Sequence, residues 1–331
     1  MINKICIIYS HHKLGDLIWQ LPYIKAISEH HATSVDLIVR EKTQAKEILK
    51  DIKHLKNIYY NNFRKGFFYW IDVFKLKQII SNNKYTHVYI LDKINKAAIA
   101  AKLSMTKNII GPGIKKQKNW LSTKIFLNDE DWELNYSEQS QKLLKLHGIK
   151  IKNIYPKIEI SSDRLIELKK KIPYEGKKIA FGIDSFEEYK IWYEENFIEL
   201  ADKLYKKGLF DYIYLICGKD KKQFAKKIID NSNKNYFIDC SNLNLLNIMS
   251  TLKDSIFFVG NNSGPLNLSA ALNVKSFGLF SNTPISQLKF SKVIPLTPVN
   301  YIDNQFIKDR NEMKKLTVEK VYNDILQNLK L

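Results

Sequence analysis

The chain's 331 residues are enough for two domains of ordinary size, and 45% hydrophobic with 26% charged residues excludes a disordered or fibrous protein. A formal net charge of +19 admits nucleic acid, an anionic membrane or a phosphorylated small molecule as partner. Base readout favours arginine, yet the only arginines are Arg40, Arg64, Arg164 and Arg310, so nucleic acid is not expected. The lysines fit either a plain solvated surface or a face turned to anionic lipid.

No apolar run approaches the roughly 20 residues that cross a bilayer, and the opening stretch lacks the pattern of a signal peptide, so a cytosolic protein is expected. Cys6, Cys217 and Cys240 are too few and too scattered for a disulfide framework or a zinc site. Cys6 and Cys217 lie in apolar runs and read as buried thiols.

Apolar β-branched runs alternate with helix-period segments throughout, the pattern of βα units and parallel sheets. In the first half, strands are predicted near 3–9, 35–39, 57–60, 87–91 and 107–110, and helices near 16–29, 43–51, 68–81, 94–103 and 137–146. Segment 111–136 joins a Gly111-Pro112-Gly113 turn, the basic Lys115, Lys116 and Lys118, and an acidic stretch around Trp132. It reads as a cover over an acceptor or as a solvated loop.

A connector at 151–157 holds Pro156, which discourages helix. The pattern then restarts, with strands near 178–183, 211–217, 236–239, 256–260 and 275–280 and helices near 194–206, 220–231, 244–252 and 264–272. The tail from Met313 to Leu331 reads as an amphipathic helix, with Val318, Val321, Ile325 and Leu329 near helical spacing. The expected class is α/β, with doubly wound Rossmann-like domains at 1–155 and 156–312 and a helix at 313–331 packing on them. Ligands of such a pair belong outside the carboxyl ends of the strands, in a cleft between the domains.

The most informative segment runs from Phe257 to Leu272, where a strand opens through Asn261-Asn262-Ser263-Gly264-Pro265-Leu266-Asn267 onto a helix. Amide groups of a first helical turn lack intrahelical partners and the macrodipole adds positive charge, so this turn suits phosphate. Ser263 is placed to cap the helix, Gly264 leaves room for a ligand, and Pro265 suits a position needing no donor. A well-capped turn without a ligand is the plain alternative.

Three further places carry candidate chemistry. After the first strand come His11, His12, Lys13, Leu14, Gly15 and Asp16. Asp16 is either a base for a substrate hydroxyl or a carboxylate that stabilises its helix, and His11 and His12 are placed to bind an acceptor or its phosphate. Lys190, in Lys190-Ile191-Trp192, either compensates a diphosphate or is a surface lysine. Gly218 and Asp220 form a turn where a nucleoside would rest, Asp220 binding a ribose hydroxyl or capping the next helix. No Cys/His/Glu cluster has metal-ligand spacing, so no metal is expected. Hydrolase, kinase and dehydrogenase motifs are absent from the sequence.

Together these motifs resemble the bacterial heptosyltransferases, glycosyltransferase family 9. The resemblance rests on Lys13-Leu14-Gly15-Asp16-Leu17 with Leu21-Pro22, on Lys190-Ile191-Trp192, and on Gly260 to Pro265 with Ala270-Ala271-Leu272, Phe277 to Phe280 and Thr283-Pro284. It implies a GT-B architecture and inverting, metal-independent sugar transfer from a nucleotide-diphosphate donor, ADP-heptose first, with no cofactor. The implied acceptor is a lipopolysaccharide core or another anionic glycolipid or polysaccharide, met by peripheral contact with the anionic inner face of the cytoplasmic membrane.

By the same resemblance Asp16 is the general base and Lys190 contacts the donor phosphates. Asn262 to Asn267 cradle the diphosphate, Gly218 and Asp220 take the nucleoside, and His11, His12, Lys13 and Gly15 take the acceptor. The signature has Asp where this chain has Asn262 and His where it has Asn267. Those exchanges support an alternative, a non-catalytic nucleotide-sugar-binding, membrane-associated protein derived from such an enzyme.

Overall fold

Ile5, Cys6, Ile7 and Ile8 have no polar side, and the strand they form, β1 (Ile5–Ile8), is buried along its whole length. Parallel strands covered by helices on both faces read this way. The structure, a computed structural model, describes residues 3–303 and 305–331, and the chain divides into two compact units, Met1–Pro156 and Lys157–Leu331.

In the first unit β1 is joined by β2 (Val35–Val39), β3 (Leu55–Tyr60), β4 (His87–Ile90) and β5 (Asn108–Ile110), all parallel, in the order β3-β2-β1-β4-β5. The helices are α1 (Leu14–Ile18), α2 (Leu21–His30), α3 (Ala45–Ile48), α4 (Tyr69–Asn83), α5 (Asn95–Leu103) and α6 (Tyr136–Leu146). Asn135 and Glu138 close a reciprocal capping box at the start of α6, each side chain taking the other's backbone N–H.

The single helix expected at 16–29 is two helices. Pro22 sits in the first turn of α2, where a missing N–H costs nothing, and buried Gln20 ends the preceding turn by accepting from Ser140 Oγ at 2.7 Å. The helix expected at 43–51 shrinks to a 3-10 turn, Glu41–Thr43, and the single turn of α3, because Gln44 between them is left-handed at φ 51°.

Segment 111–136 exposes Lys115, Lys116 and Lys118 to solvent but is pinned to the unit from within. Buried Gln117 accepts from Gly113 N at 2.9 Å and donates to Asp92 O at 3.0 Å, and buried Asp131 pairs with Lys142.

A cluster of charges is built into this unit around α4. Buried Asp72 in α4 accepts from Arg64 Nη2 at 2.8 Å and from Arg64 N at 2.5 Å, and buried Lys96 of α5 lies 3.9 Å away. Burial pushes the Asp72 carboxyl up, but the Arg64 hydrogen bonds outweigh it and hold the group below the usual carboxylate range.

The second unit has β6 (Lys178–Gly182), β7 (Tyr212–Ile216), β8 (Phe237–Asp239), β9 (Phe257–Asn261), β10 (Lys275–Leu279) and β11 (Val293–Leu296). They are parallel, in the order β11-β10-β9-β6-β7-β8. Its helices are α7 (Ser162–Lys171), α8 (Glu194–Lys206), α9 (Lys222–Ser232), α10 (Leu245–Asp254), α11 (Gly264–Ala271) and α12 (Val318–Leu329). Met313, Leu316, Val318, Val321 and Ile325 enter the same core as Trp192, Phe197 and Leu200, and α12 lies on α8.

Where β6 meets β9, a Cβ on Gly260 would lie 2.6 Å from Gly182 O, and the Phe258 ring fills the space beside both glycines. All three cysteines are buried free thiols, and burial pushes each thiol up.

Candidate functional site

Each sheet reverses its strand order once, between β1 and β4 in the first unit and between β6 and β9 in the second. Loops leaving adjacent strands at such a reversal diverge and open a crevice at the carboxyl edge. The residues singled out from the sequence fall largely on these edges.

In the first unit the loop after β1 carries His11, His12, Lys13, Gly15 and Asp16, with Asp16 in the first turn of α1. His11 stacks on Tyr9 at 5.0 Å and meets the Tyr136 ring at 4.0 Å, which directs its Nδ1 to Asp16 Oδ2 at 3.6 Å. His12 and Lys13 are exposed. Buried Asp92, just beyond β4, accepts from Ser10 N at 2.5 Å and Ile94 N at 3.0 Å, joining the two edge loops. Arg40, beyond β2, donates through Nε to Ser10 O and through Nη2 to Phe63 O at 3.2 Å.

Burial, with Asp16 and Asp92 adding their charge, pushes the Tyr9 phenol well up. Burial and the same two carboxylates push Tyr136 up as well. Both phenols therefore keep their protons.

In the second unit the loops after β6 and β9 touch at the reversal, where Ser185 Oγ donates to Asn262 O at 3.4 Å. Asn262 Nδ2 donates to Thr283 Oγ1 at 3.2 Å and Asn267 Nδ2 to Ser263 O at 3.3 Å, so both amides brace the turn itself. Ser263 occupies the N-cap position of α11 with extended backbone, but it does not cap as the sequence suggested: its Oγ is buried and without a partner.

Leu266 contributes only its backbone, since its side chain is buried against Gly278. Pro265 has no N–H to offer, which leaves the amides of Gly264 and Leu266 at the helix start. Nothing lies within 4 Å of where a Gly264 Cβ would stand.

The Lys190 segment is held against this turn. Trp192 N donates to Asn261 Oδ1 at 3.0 Å, Trp192 Nε1 donates to Leu316 O at 2.9 Å, and Asn282 Nδ2 donates to Tyr189 O. Asn261 is fully buried, and its Nδ2 has no partner. Lys190 Nζ is 2.7 Å from Glu187 Oε2, an ion pair that the sequence did not foretell.

Gly218 and Asp220 lie one strand over, beyond β7. Asp220 does not cap α9, which starts at Lys222 without a side-chain cap. Instead it lines a cavity of about 280 Å³ with Asp184, Glu188, Lys221, Phe224 and Arg310. Gly218 N donates to Asp184 Oδ2 at 3.2 Å, while Asp184 Oδ1 and Arg310 Nη2 are buried without partners. Burial is the main force raising the Asp184 carboxyl. Among the described residues no three or more His, Cys, Asp or Glu are gathered to hold a metal ion.

Sequence reasoning missed Arg40, Asp92, Asp184, the role of Asn261 within the turn it named, and Arg310. The first four directly end or follow a strand at a carboxyl edge, and that position was the available signal.

Two parallel-sheet units, each gathering polar groups where its strand order reverses, define a protein of the GT-B class. Residues 73–326 match the model of glycosyltransferase family 9 (heptosyltransferase), and the chain belongs to that family and is a glycosyltransferase. A family 9 glycosyl transferase from Veillonella parvula DSM 2008 has the same fold, with a TM-score of 0.81 at 15% identity, covering 99% of this chain and 97% of that one. The E. coli ADP-heptose lps heptosyltransferase II gives 0.78 at 15% identity, covering 99% and 100%. E. coli heptosyltransferase WaaC, solved with ADP-2-deoxy-2-fluoro heptose, gives 0.72 at 16%, covering 98% and 99%. No curated protein matches the sequence.

Proposed function

We propose that this chain transfers a heptose, with inversion and without a metal ion, from an ADP-activated donor to a lipopolysaccharide core or related surface glycan. The work would take place at the anionic inner face of the cytoplasmic membrane. The observation that carries the reading is the α11 start, where Ser263 Oγ and Asn261 Nδ2 are buried polar groups without partners beside free helix amides. Buried polar atoms without partners cost stability, which is tolerated where a ligand satisfies them. Family membership supports a nucleotide sugar as the ligand, and the ADP-heptose named for the E. coli enzymes makes it the first donor to test.

In this reading the acceptor hydroxyl oxygen attacks the anomeric carbon and Asp16 takes its proton. The bond from that carbon to the diphosphate oxygen breaks, and its electron pair leaves with the nucleoside diphosphate. Negative charge growing there is met by the Gly264 and Leu266 amides, Ser263 Oγ and the Lys190 ammonium, which would exchange Glu187 for phosphate. His11 orients Asp16, and His12, Lys13 and Gly15 meet the acceptor. Asp220 meets the ribose from the cavity wall, and Gly218 shapes that turn.

Calorimetry with ADP-, GDP- and UDP-sugars tests the donor, and mass spectrometry of a lipid-linked acceptor tests transfer. Proton NMR of the product reads the anomeric configuration, and turnover in EDTA reads the need for metal. Equal affinity for all three nucleotides, or no product with ADP-heptose, would overturn the reading.

A further inference from the structure

Helix α4 is apolar on two sides. Val73, Leu76 and Ile80 are buried in the core of the first unit. Phe67, Trp70, Ile71 and Phe74 recur at i, i+3, i+4 and i+7 from the 3-10 turn Gly66–Phe68 into the helix, forming a second stripe that faces out. Phe67 is 87% exposed, Trp70 55% and Phe74 58%. A surface helix ordinarily shows polar residues there, and a contiguous aromatic stripe marks an interaction surface.

The stripe rests on a firm base. The Arg64 guanidinium lies 4.3 Å from the centre of the Phe68 ring while also bonding buried Asp72, so the segment leading into α4 is fastened to the core.

Charge selects the partner. Between Asp51 and Asp92 the sole carboxylate in the sequence is Asp72, which is buried and paired, whereas Lys53, Lys56, Arg64, Lys65, Lys75, Lys77 and Lys84 fall in the same interval. Exposed Lys65 and Lys75 flank the rings. Aromatic rings ringed by cations, with no surface carboxylate among them, complement an anionic lipid surface. A second copy of this chain would bring the same positive field to the contact.

We propose that residues 65–75 seat the enzyme on an anionic bilayer, with Phe67, Trp70 and Phe74 entering the headgroup boundary. The inference rests on the membrane-facing reading above and names its surface. It also has a geometric consequence. This segment leaves the carboxyl end of β3, and β3 lies two strands, about 10 Å, from β1, whose carboxyl end leads to Asp16. A bilayer held there presents a lipid-anchored acceptor to the edge that carries the proposed base.

The test is co-sedimentation of the full chain with phosphatidylcholine vesicles, with and without phosphatidylglycerol. It compares wild type, Phe67→Ser/Trp70→Ser, and the control Met105→Ser, whose side chain is 91% exposed beyond α5. Transfer to a lipid-free, water-soluble acceptor is measured in parallel. Salt-sensitive binding to the anionic vesicles is expected, weakened at least tenfold in the double variant and unchanged in the control, with soluble-acceptor turnover unaltered. Equal binding by wild type and double variant, or no binding by wild type, overturns the proposal. So does self-association that the double variant abolishes without vesicle binding, which would make the stripe a contact between copies. Vesicle binding as expected with no transfer from any donor supports the seat and overturns the transfer reading alone.

Discussion

The backbone N–H of Trp192 donates to the side-chain oxygen of Asn261, at 3.0 Å, across 69 positions of sequence. Through this bond the end of β9 holds the segment that carries Lys190, so the amides of α11 and the ammonium expected to serve the same phosphates share one support.

Replacing Asn261 with Ala removes that support and leaves the buried Trp192 N–H without an acceptor. Loss of stability by about 1–3 kcal/mol is expected in urea unfolding, together with weaker ADP binding by calorimetry. Lys190→Ala should weaken ADP binding with little change in stability. Equal stability of Asn261→Ala and wild type would contradict the supporting role.

Ser263→Ala deletes a hydroxyl that already lacks a partner. The melting temperature without ligand should stay level or rise, while ADP affinity falls about tenfold or more, the loss of a hydrogen bond to a charged group. A melting temperature that drops, with affinity retained, would show that the hydroxyl serves the fold instead.

Asp16→Asn keeps the size of the side chain and removes the base. Turnover should fall by about 10²- to 10⁴-fold, with ADP affinity within a few-fold of wild type. Unchanged turnover would take Asp16 out of the mechanism.

His31 gives the stability a pH dependence. Burial first, then the nearby His87 and His30, push its pKa down to about 4, and His87 is lowered in the same direction. Unfolded chain takes up a proton near the ordinary histidine value of about 6.5 whereas the folded chain does not, so stability is lost as pH falls from there toward 4. Melting followed between pH 7 and 5, above most carboxylate titration, should show this slope. His31→Gln should lessen it, since the amide does not titrate yet can still reach Tyr89 Oη, now 2.8 Å from His31 Nε2, while His87 keeps its own share. An identical slope in the variant would assign the dependence elsewhere.

The buried strands were plain in the sequence because a parallel strand covered on both faces is a continuous apolar run, as Ile5–Ile8 shows. The sequence reading assigns no strand to Val293–Leu296, where Pro295 interrupts the apolar run. An edge strand tolerates proline, and β11 is the edge. It also assigns no helix to Ser162–Lys171, although the helix keeps only Leu168 buried. The break between α1 and α2 was hidden because it is fixed from α6 through Ser140 and Gln20, a contact across 120 positions.

At the site, the phosphate-type turn was legible from composition, since small residues before a helix have a local meaning. The roles of Arg40, Asp92 and Asn261 were not legible. Each is one of several polar residues where an apolar strand gives way to its loop, and its partner is set by which strands lie side by side.

Trp192 also ties the proposed donor turn to Leu316, and residues from Met313 to Ile325 complete the surrounding core. Closing the second unit therefore joins parts of the chain 124 positions apart, and Trp192 cannot complete its bonds until Leu316 has been made. A nascent chain still short of Leu316 would carry every residue proposed to grip the donor, with the Lys190 segment held through Asn261 but Trp192 Nε1 without its acceptor. A firm grip on the donor would then come only once that distant contact is made.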